Sequence, residues 1–317
     1  MSFSASTKNE ICRIPIEEFC CALAELAAFV RMSGTIKILG GKQINLNFTT
    51  ENAAIARRIF TILKELYDTE VQVVVRRNRQ LKKNNNYLIM VNNSSISKRI
   101  LKDVGFIDKS NQTLLNSFYK VDGNLIGNRC CKRSYIRASF LGGGSISNPE
   151  KSYHLELVTS NQEHGKDLSK IINSFGLKSK IVLRKDNHVI YIKEGEQIVD
   201  FLNIVGAHQA LLKFEDIRVL KDVRNNINRL VNCETANLGK TIDASMRQIE
   251  DIKLVQRRLG LNKLPKNLRE VAELRLSHRE ASLKEIGKML NPPVSKSGVN
   301  HRFRKITQIA RELGGDK

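Results

Sequence analysis

The segment FTTENAAIARRIFTILKELYDTEVQVVVRRN (48–78) decides the fold, because its pattern returns at LVTSNQEHGKDLSKIINSFGLKSKIVLRKDN (157–187), a constant 109 residues later. Thr50 falls on Thr159 and Val73 on Val182. In each copy a strand-like stretch precedes apolar residues spaced three and four apart, and a β-branched run follows them, which predicts strand, helix and strand. A pattern of this length that occurs twice predicts a pseudo-two-fold pair of half-domains, since a solenoid needs three or more copies.

Each copy extends in both directions. A helix and a strand precede it, and a further strand follows at YLIMV (87–91) in the first copy and at VIYIK (189–193) in the second. The repeated unit is therefore predicted to be α-β-β-α-β-β-α. We expect half-repeats of about 14–104 and 113–205 within a domain that covers residues 1–212.

A helical motif opens the paired strands of each half: LAAFVRMSGTI (26–36) in the first and RASFLGGGSI (137–146) in the second. Duplicated halves of this kind resemble the LAGLIDADG homing endonuclease fold. The resemblance implies that Ala24, Ala27 and Ala28 let two helices pack closely at the pseudo-two-fold axis. It also implies that the flanking strands form two saddle-shaped sheets over DNA.

The carboxylates that this resemblance would require for DNA cleavage are missing from both motifs. Metal-dependent cleavage uses acidic residues at the ends of the motif helices to hold divalent cations. The family's acid falls on Ser33 and an earlier acid on Arg31, while in the second motif the acid falls on one of Gly142 to Gly144, of which we take Gly143. We therefore predict no catalytic residue, no metal and no cofactor, in a fold retained for binding. A nuclease that recruits metal through other acids is the alternative.

The segment LPKNLREVAELRLSHREASLKEIGKMLNPPVSKSGVNHRFRKITQIAREL (264–313) has the spacing of three helices. Ser282 and Glu285 predict a capping box, Pro292 and Pro293 end that helix, and Ser295 begins the next. The buried face of the third helix is predicted to consist of Val299, Phe303, Ile306, Ala310 and Leu313.

Six polar side chains of the third helix are predicted to face away from its core. They are Lys296, Ser297, Asn300, His301, Arg304 and Lys305. Arginine, asparagine and short hydroxyls are the groups that a recognition helix presents to the major groove. A solvated basic helix is the alternative interpretation. The segment resembles the last helix-turn-helix of sigma factors, and we assign it to a domain over 263–317, joined through a helical linker at 213–262.

The charge of the chain favours a polyanionic partner such as nucleic acid, and together with the predicted helix-turn-helix it leads us to expect double-stranded DNA. Lys and Arg number 53 against 32 Asp and Glu, so the formal net charge is +21. Basic residues without acidic neighbours also occur in the N-terminal domain, where we predict phosphate contacts, with solvated loops as the alternative. They are Arg76, Arg77, Arg79, Lys82, Lys83, Arg129, Lys132, Arg133 and Arg137.

The cysteine spacing indicates neither a zinc ribbon nor a thioredoxin-like motif, because no C-x-x-C pair occurs among the six cysteines. The longest apolar run near the start, 19–30, is too short to span a bilayer and contains Glu25. We expect a cytoplasmic, nucleoid-associated protein with no membrane partner.

The string NCETANLGKTIDASMRQIEDI (232–252) lies between the two predicted modules. With the degenerate duplication before it and the helix-turn-helix after it, the chain resembles the WhiA family of bacterial regulators. The resemblance implies DNA binding and transcription regulation, in sporulation in actinobacteria and in cell division and chromosome segregation in Bacillus-like bacteria. In an alternative, the helix-turn-helix binds DNA weakly and the chain is recruited by a sigma factor or a second regulator. The predicted fold class is α+β: a duplicated LAGLIDADG-like domain, a helical linker and an all-α helix-turn-helix domain.

Overall fold

A computed structural model of the chain describes residues 1–16, 18–39, 43–77, 85–107 and 119–314. The chain divides into two compact units, a first unit of Met1–Lys221 and a second unit of Asp222–Lys317. Within the described ranges, no helix combines the length and the apolar character that a membrane span requires.

The first unit contains a leading helix and two half-repeats of the same element order, which confirms the predicted α-β-β-α-β-β-α pattern. The leading helix is α1 (Phe3–Ile11). The first half consists of α2 (Phe19–Ser33), β1 (Gly34–Leu39), β2 (Gln43–Thr50), α3 (Ala53–Tyr67), β3 (Gln72–Arg77), β4 (Asn85–Val91) and α4 (Ser94–Asp103). The second half consists of α5 (Arg129–Gly143), β5 (Gly144–Ile146), β6 (Leu155–Thr159), α6 (Gln162–Asn173), β7 (Lys180–Arg184), β8 (Asn187–Ile192) and α7 (Gly195–Val205).

Each half forms one antiparallel four-stranded sheet, in the order β1-β2-β4-β3 in the first half and β5-β6-β8-β7 in the second. Phe48 on β2 pairs with Gly34 and Ile89, and Leu157 on β6 pairs with Gly144 and Ile190. Side chains alternate across a strand, so a sheet buries one row of them and leaves the other outside. Phe48, Ile89, Leu157 and Ile190 are fully buried in the core of the first unit.

Helices α2 and α5 pack side by side at the centre of the first unit, as the small residues predict. Ala24, Ala27 and Ala28 are fully buried on α2. Near the C-terminal ends of the two helices the approach is so close that a Cβ atom at Gly142 would lie 2.8 Å from the Cβ of Met32. A side chain at position 142 would therefore push the helices apart.

A buried carboxylate ties the two half-repeats together. Glu25 on α2 accepts two hydrogen bonds from Arg58 on α3, at 2.6 and 2.7 Å, and one from Arg137 on α5, at 3.1 Å. Its side chain is 1% exposed. Burial opposes the charge of Arg58, but the hydrogen bonds and the charge of Glu25 outweigh it and hold the pKa of Arg58 above its usual value. Glu25, the acidic residue that interrupts the apolar run 19–30, is thus the centre of a structural ion-pair network.

Arg31, at the earlier acidic position of the motif, also has a structural role. Its buried guanidinium donates to the carbonyl oxygens of Val104 at 3.1 Å, Tyr119 at 3.3 Å and Lys120 at 3.0 Å. It also lies over the ring of Phe106, 4.7 Å from the centroid. Arg31 therefore connects the end of the first half-repeat to the segment that enters the second.

The second unit is helical. Helix α8 (His208–Arg258) crosses the division between the units and contains most of the predicted linker at 213–262. Its last turns contribute Ile252 and Val255 to a core that they share with the three helices that follow. Those helices are α9 (Lys266–Ser277), α10 (Leu283–Met289) and α11 (Lys296–Gly314).

Candidate nucleic-acid interface

Helices α10 and α11 form the predicted helix-turn-helix. The capping box at the start of α10 is present: the Glu285 amide donates to the Ser282 hydroxyl at 3.3 Å, and the Ser282 amide donates to the Glu285 carboxylate at 2.7 Å. The hydrogen bond from the Ser282 amide, helped by the Ser282 side chain, holds the pKa of the Glu285 carboxyl below its usual value. The cap fixes where α10 begins, and hence where the turn into α11 falls.

The turn between α10 and α11 depends on a close backbone contact. The amide of Val294 donates to the carbonyl of Gly287 at 2.9 Å, and a Cβ atom at Gly287 would lie 2.2 Å from the carbonyl oxygen of Val294. Ser295 then accepts a hydrogen bond from the amide of Gly298 at 3.3 Å, which confirms it as the cap of α11. Glycine at 287 and serine at 295 together set the position of α11 against α10.

Helix α11 has one buried face and one exposed polar face. Val299, Phe303, Ile306 and Ala310 are buried as predicted, whereas Leu313 is only partly buried. The six predicted recognition residues lie on the opposite side. Lys296, Ser297, His301, Arg304 and Lys305 are exposed, and Asn300 is half-buried.

The exposed polar face of α11 carries several cations. Among the described residues, Lys296, Arg304 and Lys305 form no ion pair with a carboxylate within 4.0 Å. The face therefore presents positive charge and hydrogen-bond donors together, which suits a polyanion.

A buried arginine that the sequence analysis did not single out supports this face from behind. Arg275 on α9 donates to the carbonyl oxygens of Arg279 at 3.3 Å and Ala281 at 2.5 Å. Its guanidinium lies 5.4 Å from the ring centroid of Phe303. Arg275 thus holds the α9–α10 turn against the buried face of α11.

Two lysines on α10 extend the basic surface. Lys284 and Lys288 are exposed and lie one helical turn apart, while Ile286 between them is buried. The four-residue spacing of the two lysines beside the buried Ile286 is the sequence signal that would have found them.

The basic residues predicted in the first unit divide into several groups. Arg76 is exposed on β3, and Arg77 lies on the same strand, opposite Asn85. Arg79, Lys82 and Lys83 lie outside the described residues. Arg129 is exposed, with its guanidinium 5.0 Å from the ring centroid of Phe175, and Lys132 is half-buried.

Arg133 and Arg137 donate to backbone carbonyls of their own unit, which argues against the expectation that they contact phosphate. Arg133 donates to the carbonyl of Ile204 at 2.9 Å, and Arg137 donates to that of Val205 at 3.0 Å. These carbonyls lie at the end of α7, where a helix leaves its last acceptors without backbone donors. Arg137 is also bound to Glu25. Both guanidiniums are therefore used to cap α7.

Neither motif helix ends on a residue with a carboxylate. Helix α2 ends at Ser33 and α5 at Gly143, so these two residues hold equivalent positions in the two helices. The Ser33 hydroxyl donates to the carbonyl of Phe29 at 3.2 Å. A Cβ atom at Gly143 would lie 2.3 Å from the side chain of Met32 and 2.7 Å from the carbonyl oxygen of Val158. A carboxylate does not fit at position 143 unless the backbone shifts.

Four cysteines that the spacing argument set aside meet at the other end of the helix pair. The Sγ atoms of Cys20, Cys21, Cys130 and Cys131 all lie within 4.8 Å of one another. Burial raises the pKa of Cys21 to about 11, whereas a hydrogen bond with Cys21 lowers the pKa of Cys130. The fold thus assembles a candidate set of metal ligands from residues that are distant in sequence, an arrangement that the spacing along one segment does not show.

Comparison with known proteins covers both units. Family models match residues 19–107 (WhiA N-terminal LAGLIDADG-like domain), 132–224 (WhiA LAGLIDADG-like domain) and 227–310 (WhiA C-terminal HTH domain). A relative from Alkaliphilus metalliredigens, named "Probable cell division protein WhiA", is 55% identical over 315 residues, 99% of each chain. A relative of the same name from Clostridium botulinum (strain Hall) is 54% identical over 313 residues, again 99% of each chain.

The crystal structure of full-length DUF199/WhiA from Thermatoga maritima is similar along its whole length. It covers 100% of both chains, with a TM-score of 0.59 and 26% sequence identity. The predicted fold class and the resemblance noted from sequence are thereby confirmed. The chain belongs to the WhiA family.

Proposed function

We propose that this protein is a non-catalytic, sequence-specific binder of double-stranded DNA that regulates transcription. The observation that carries the proposal is the exposed polar face of α11, whose lysines and arginine have no ion-pair partner among the described residues. On the opposite face of the helix, Phe303 and Ile306 are buried in the core of the second unit. A rigid helix of this kind, with the polar residues on its N-terminal half, suits the major groove.

The side chains of α11 divide by chemistry into base readers and phosphate binders. Arg304 can bond a guanine edge in two places and Asn300 an adenine edge, so we assign base recognition to these two. Ser297, His301 and Lys305 flank them on the same face. Lys296, at the start of the helix, is assigned to phosphate. We add Lys284 and Lys288, because the first helix of a helix-turn-helix crosses the DNA backbone.

The first unit is proposed to add phosphate contacts without sequence preference. The residues assigned to this role are Arg76, Arg77, Arg79, Lys82, Lys83, Arg129 and Lys132. Arg133 and Arg137 are left out, since their guanidiniums cap α7. A protein with several such contacts loses affinity steeply as salt rises, because each neutralised phosphate releases counterions.

The proposal that the protein is not a nuclease rests on the ends of α2 and α5. Ser33 bonds to its own helix, and the space beside Gly143 is filled by Met32. Incubation of the full chain with supercoiled plasmid and Mg²⁺ or Mn²⁺ tests this directly. We expect no nicking. Nicking that EDTA abolishes, and that co-purifies with the protein, would establish the nuclease alternative.

The biological process is proposed from the relatives. Both of the relatives described above carry a cell-division name, which supports cell division and chromosome segregation over sporulation as the process involved. We accordingly propose that the protein acts on the nucleoid.

Genome-wide crosslinking and immunoprecipitation of the full-length protein tests the proposal. An Asn300→Ala/Arg304→Ala variant is compared with a control, Gln308→Ala/Arg311→Ala, whose side chains are exposed further along the same helix. We expect sharp peaks over a common motif for the wild type and the control, and their loss in the first variant. Peaks that are equal in all three proteins would refute base recognition by α11.

A second candidate function has support from the sheets. Val73, Val74 and Val75 on β3 and Leu183 on β7 are exposed, although strands of this composition usually pack against a partner. In this alternative a sigma factor or a second regulator recruits the protein, and DNA specificity comes from that partner. Peaks that survive the α11 substitutions but disappear when the partner is depleted would favour it.

A further inference from the structure

The four clustered cysteines form a symmetric set. Cys20 and Cys21 lie in the first turn of α2, and Cys130 and Cys131 lie in the first turn of α5. When the two helices are aligned from their first residues, Phe19 and Arg129, Cys20 corresponds to Cys130 and Cys21 to Cys131. Each half-repeat thus contributes an equivalent pair, and the pairs meet where the two helices begin. Among the described residues, no other group of three or more His, Cys, Asp or Glu brings its ligand atoms this close together.

The spacing of the sulfur atoms fits one metal ion. With Zn–S bonds of about 2.3 Å, the four sulfurs of a tetrahedral site lie about 3.8 Å apart. The Sγ atoms of Cys130 and Cys131 are 3.9 Å apart, and all four Sγ atoms lie within 4.8 Å of one another. In an iron–sulfur cluster the thiolates bind different iron atoms and are spaced more widely. Four thiolates around a single ion are typical of structural zinc.

Burial raises the pKa of Cys21 and Cys131, and the ends of the two helices oppose this effect. Neither α2 nor α5 has a side-chain hydrogen bond at its N-cap residue, Glu18 or Asn128. The first backbone N–H groups of both helices, with the positive ends of their dipoles, therefore lie at the cysteine pairs. A tetrathiolate zinc site has a net charge of −2, which the positive ends of the two helix dipoles stabilise.

The exposure of the cysteines provides both an entry path and a closed interior. Cys20 and Cys130 are exposed, Cys21 is half-buried and Cys131 is buried. An ion can therefore reach the site from solvent and be held from the protein side. We propose that Cys20, Cys21, Cys130 and Cys131 bind one Zn²⁺ ion, which fastens the two half-repeats at the N-terminal ends of α2 and α5.

Binding of this ion requires no redox step. Zn²⁺ replaces the thiol protons, which pass to solvent, and all four sulfurs become ligands of the metal. The site is structural, because the four protein ligands leave no position open for a substrate. The competing outcome is oxidation of the same sulfurs to disulfides.

The test begins with full-length protein purified under reducing conditions and analysed for metal by mass spectrometry. We expect one zinc per chain. After removal of zinc by a chelator, addition of Co²⁺ should produce thiolate-to-cobalt charge-transfer bands and the visible bands of a tetrahedral ion. A Cys20→Ser/Cys130→Ser variant, which changes the two exposed ligands, should lose nearly all bound metal. A Cys12→Ser/Cys233→Ser variant changes two cysteines outside the cluster and should retain one zinc.

Far-UV circular dichroism of every variant shows whether it folds, and the cobalt spectrum of the wild type requires no variant. The proposal is overturned if freshly purified wild type carries no stoichiometric zinc and yields no tetrahedral cobalt spectrum. It is equally overturned if the folded Cys20→Ser/Cys130→Ser variant binds as much zinc as the wild type. A disulfide among these four residues in protein prepared without oxygen would also refute it.

Discussion

The buried carboxylate of Glu25, between the half-repeats, is the feature whose contribution to stability can be tested most quantitatively. The substitution Glu25→Gln keeps the size of the side chain and removes its charge. In the wild type, the carboxylate receives three hydrogen bonds from Arg58 and Arg137 at 2.6 to 3.1 Å. The exposed fractions of the side chains are 1% for Glu25, 3% for Arg58 and 12% for Arg137.

The expected cost follows from what the substitution leaves behind. The guanidiniums of Arg58 and Arg137 remain charged and buried, and their remaining hydrogen-bond partners among the described residues are neutral, such as the carbonyls of Ile14 and Val205. Removal of one member of a buried ion pair destabilises a protein by about 3–5 kcal/mol, mostly because the remaining charge is uncompensated. We therefore expect a loss of this size in the free energy of unfolding of the first unit.

Urea unfolding followed by far-UV circular dichroism measures the loss, and hydrogen exchange read by mass spectrometry locates it. Exchange should accelerate in α2, α3 and α5 and stay unchanged in α9 to α11. The matched control is Glu196→Gln, because Glu196 is 86% exposed and lies 3.6 Å from Arg218. A surface pair of this kind contributes about 0–1 kcal/mol. A loss below about 1 kcal/mol for Glu25→Gln, or equal losses for both variants, would refute the reasoning.

Three further predictions concern other parts of the chain. Burial holds the pKa of His164 at about 3, well below the value of about 6.5 for a free histidine, so the free energy of unfolding should fall by about 1.4 kcal/mol per pH unit between about pH 6 and pH 3. The slope should be smaller in His164→Gln, measured by urea unfolding across pH, with exposed His208→Gln as control. Gly287→Ala should destabilise the second unit by about 1–3 kcal/mol in thermal unfolding, because its Cβ would meet a carbonyl oxygen at 2.2 Å, whereas Gly239→Ala, in open space, should not. Lys284→Ala/Lys288→Ala should lower the slope of log affinity against log salt by about 2 without changing the preferred DNA motif, as a binding titration at several salt concentrations would show.

Local patterns carried most of the fold prediction. The strands and helices around 48–78 and 157–187 follow from periodicity, and the repeat between them implies the pseudo-two-fold pair. The helix-turn-helix could also be predicted, because the cap at Ser282 and the apolar spacing from Val299 to Ala310 are local signals. These features depend on neighbours within a few residues, which is why a single sequence was sufficient for them.

Features that depend on contacts between distant residues were not predicted. The sequence around Arg133 and Arg137 shows no partner for their charges, and only the position of α7 in the structure reveals that they bind its last carbonyls. Cysteine spacing within one segment does not indicate the cluster, because its two cysteine pairs lie in different helices, α2 and α5. A signal was present: Cys20 and Cys21 align with Cys130 and Cys131 when the two motif helices are compared.

The two ends of the α2–α5 pair show how the fold has been adapted. At the C-terminal end, a nuclease needs acids on both helices, but here Ser33 bonds to its own helix and Met32 packs where a side chain at Gly143 would have to stand. The absence of acids at these two positions also avoids the repulsion between like charges that close carboxylates create. At the N-terminal end, the proposed zinc would connect the same two helices by four bonds. The helix pair would then keep its symmetry and its role as the junction of the halves, with the metal at the end opposite to the one where DNA cleavage would occur.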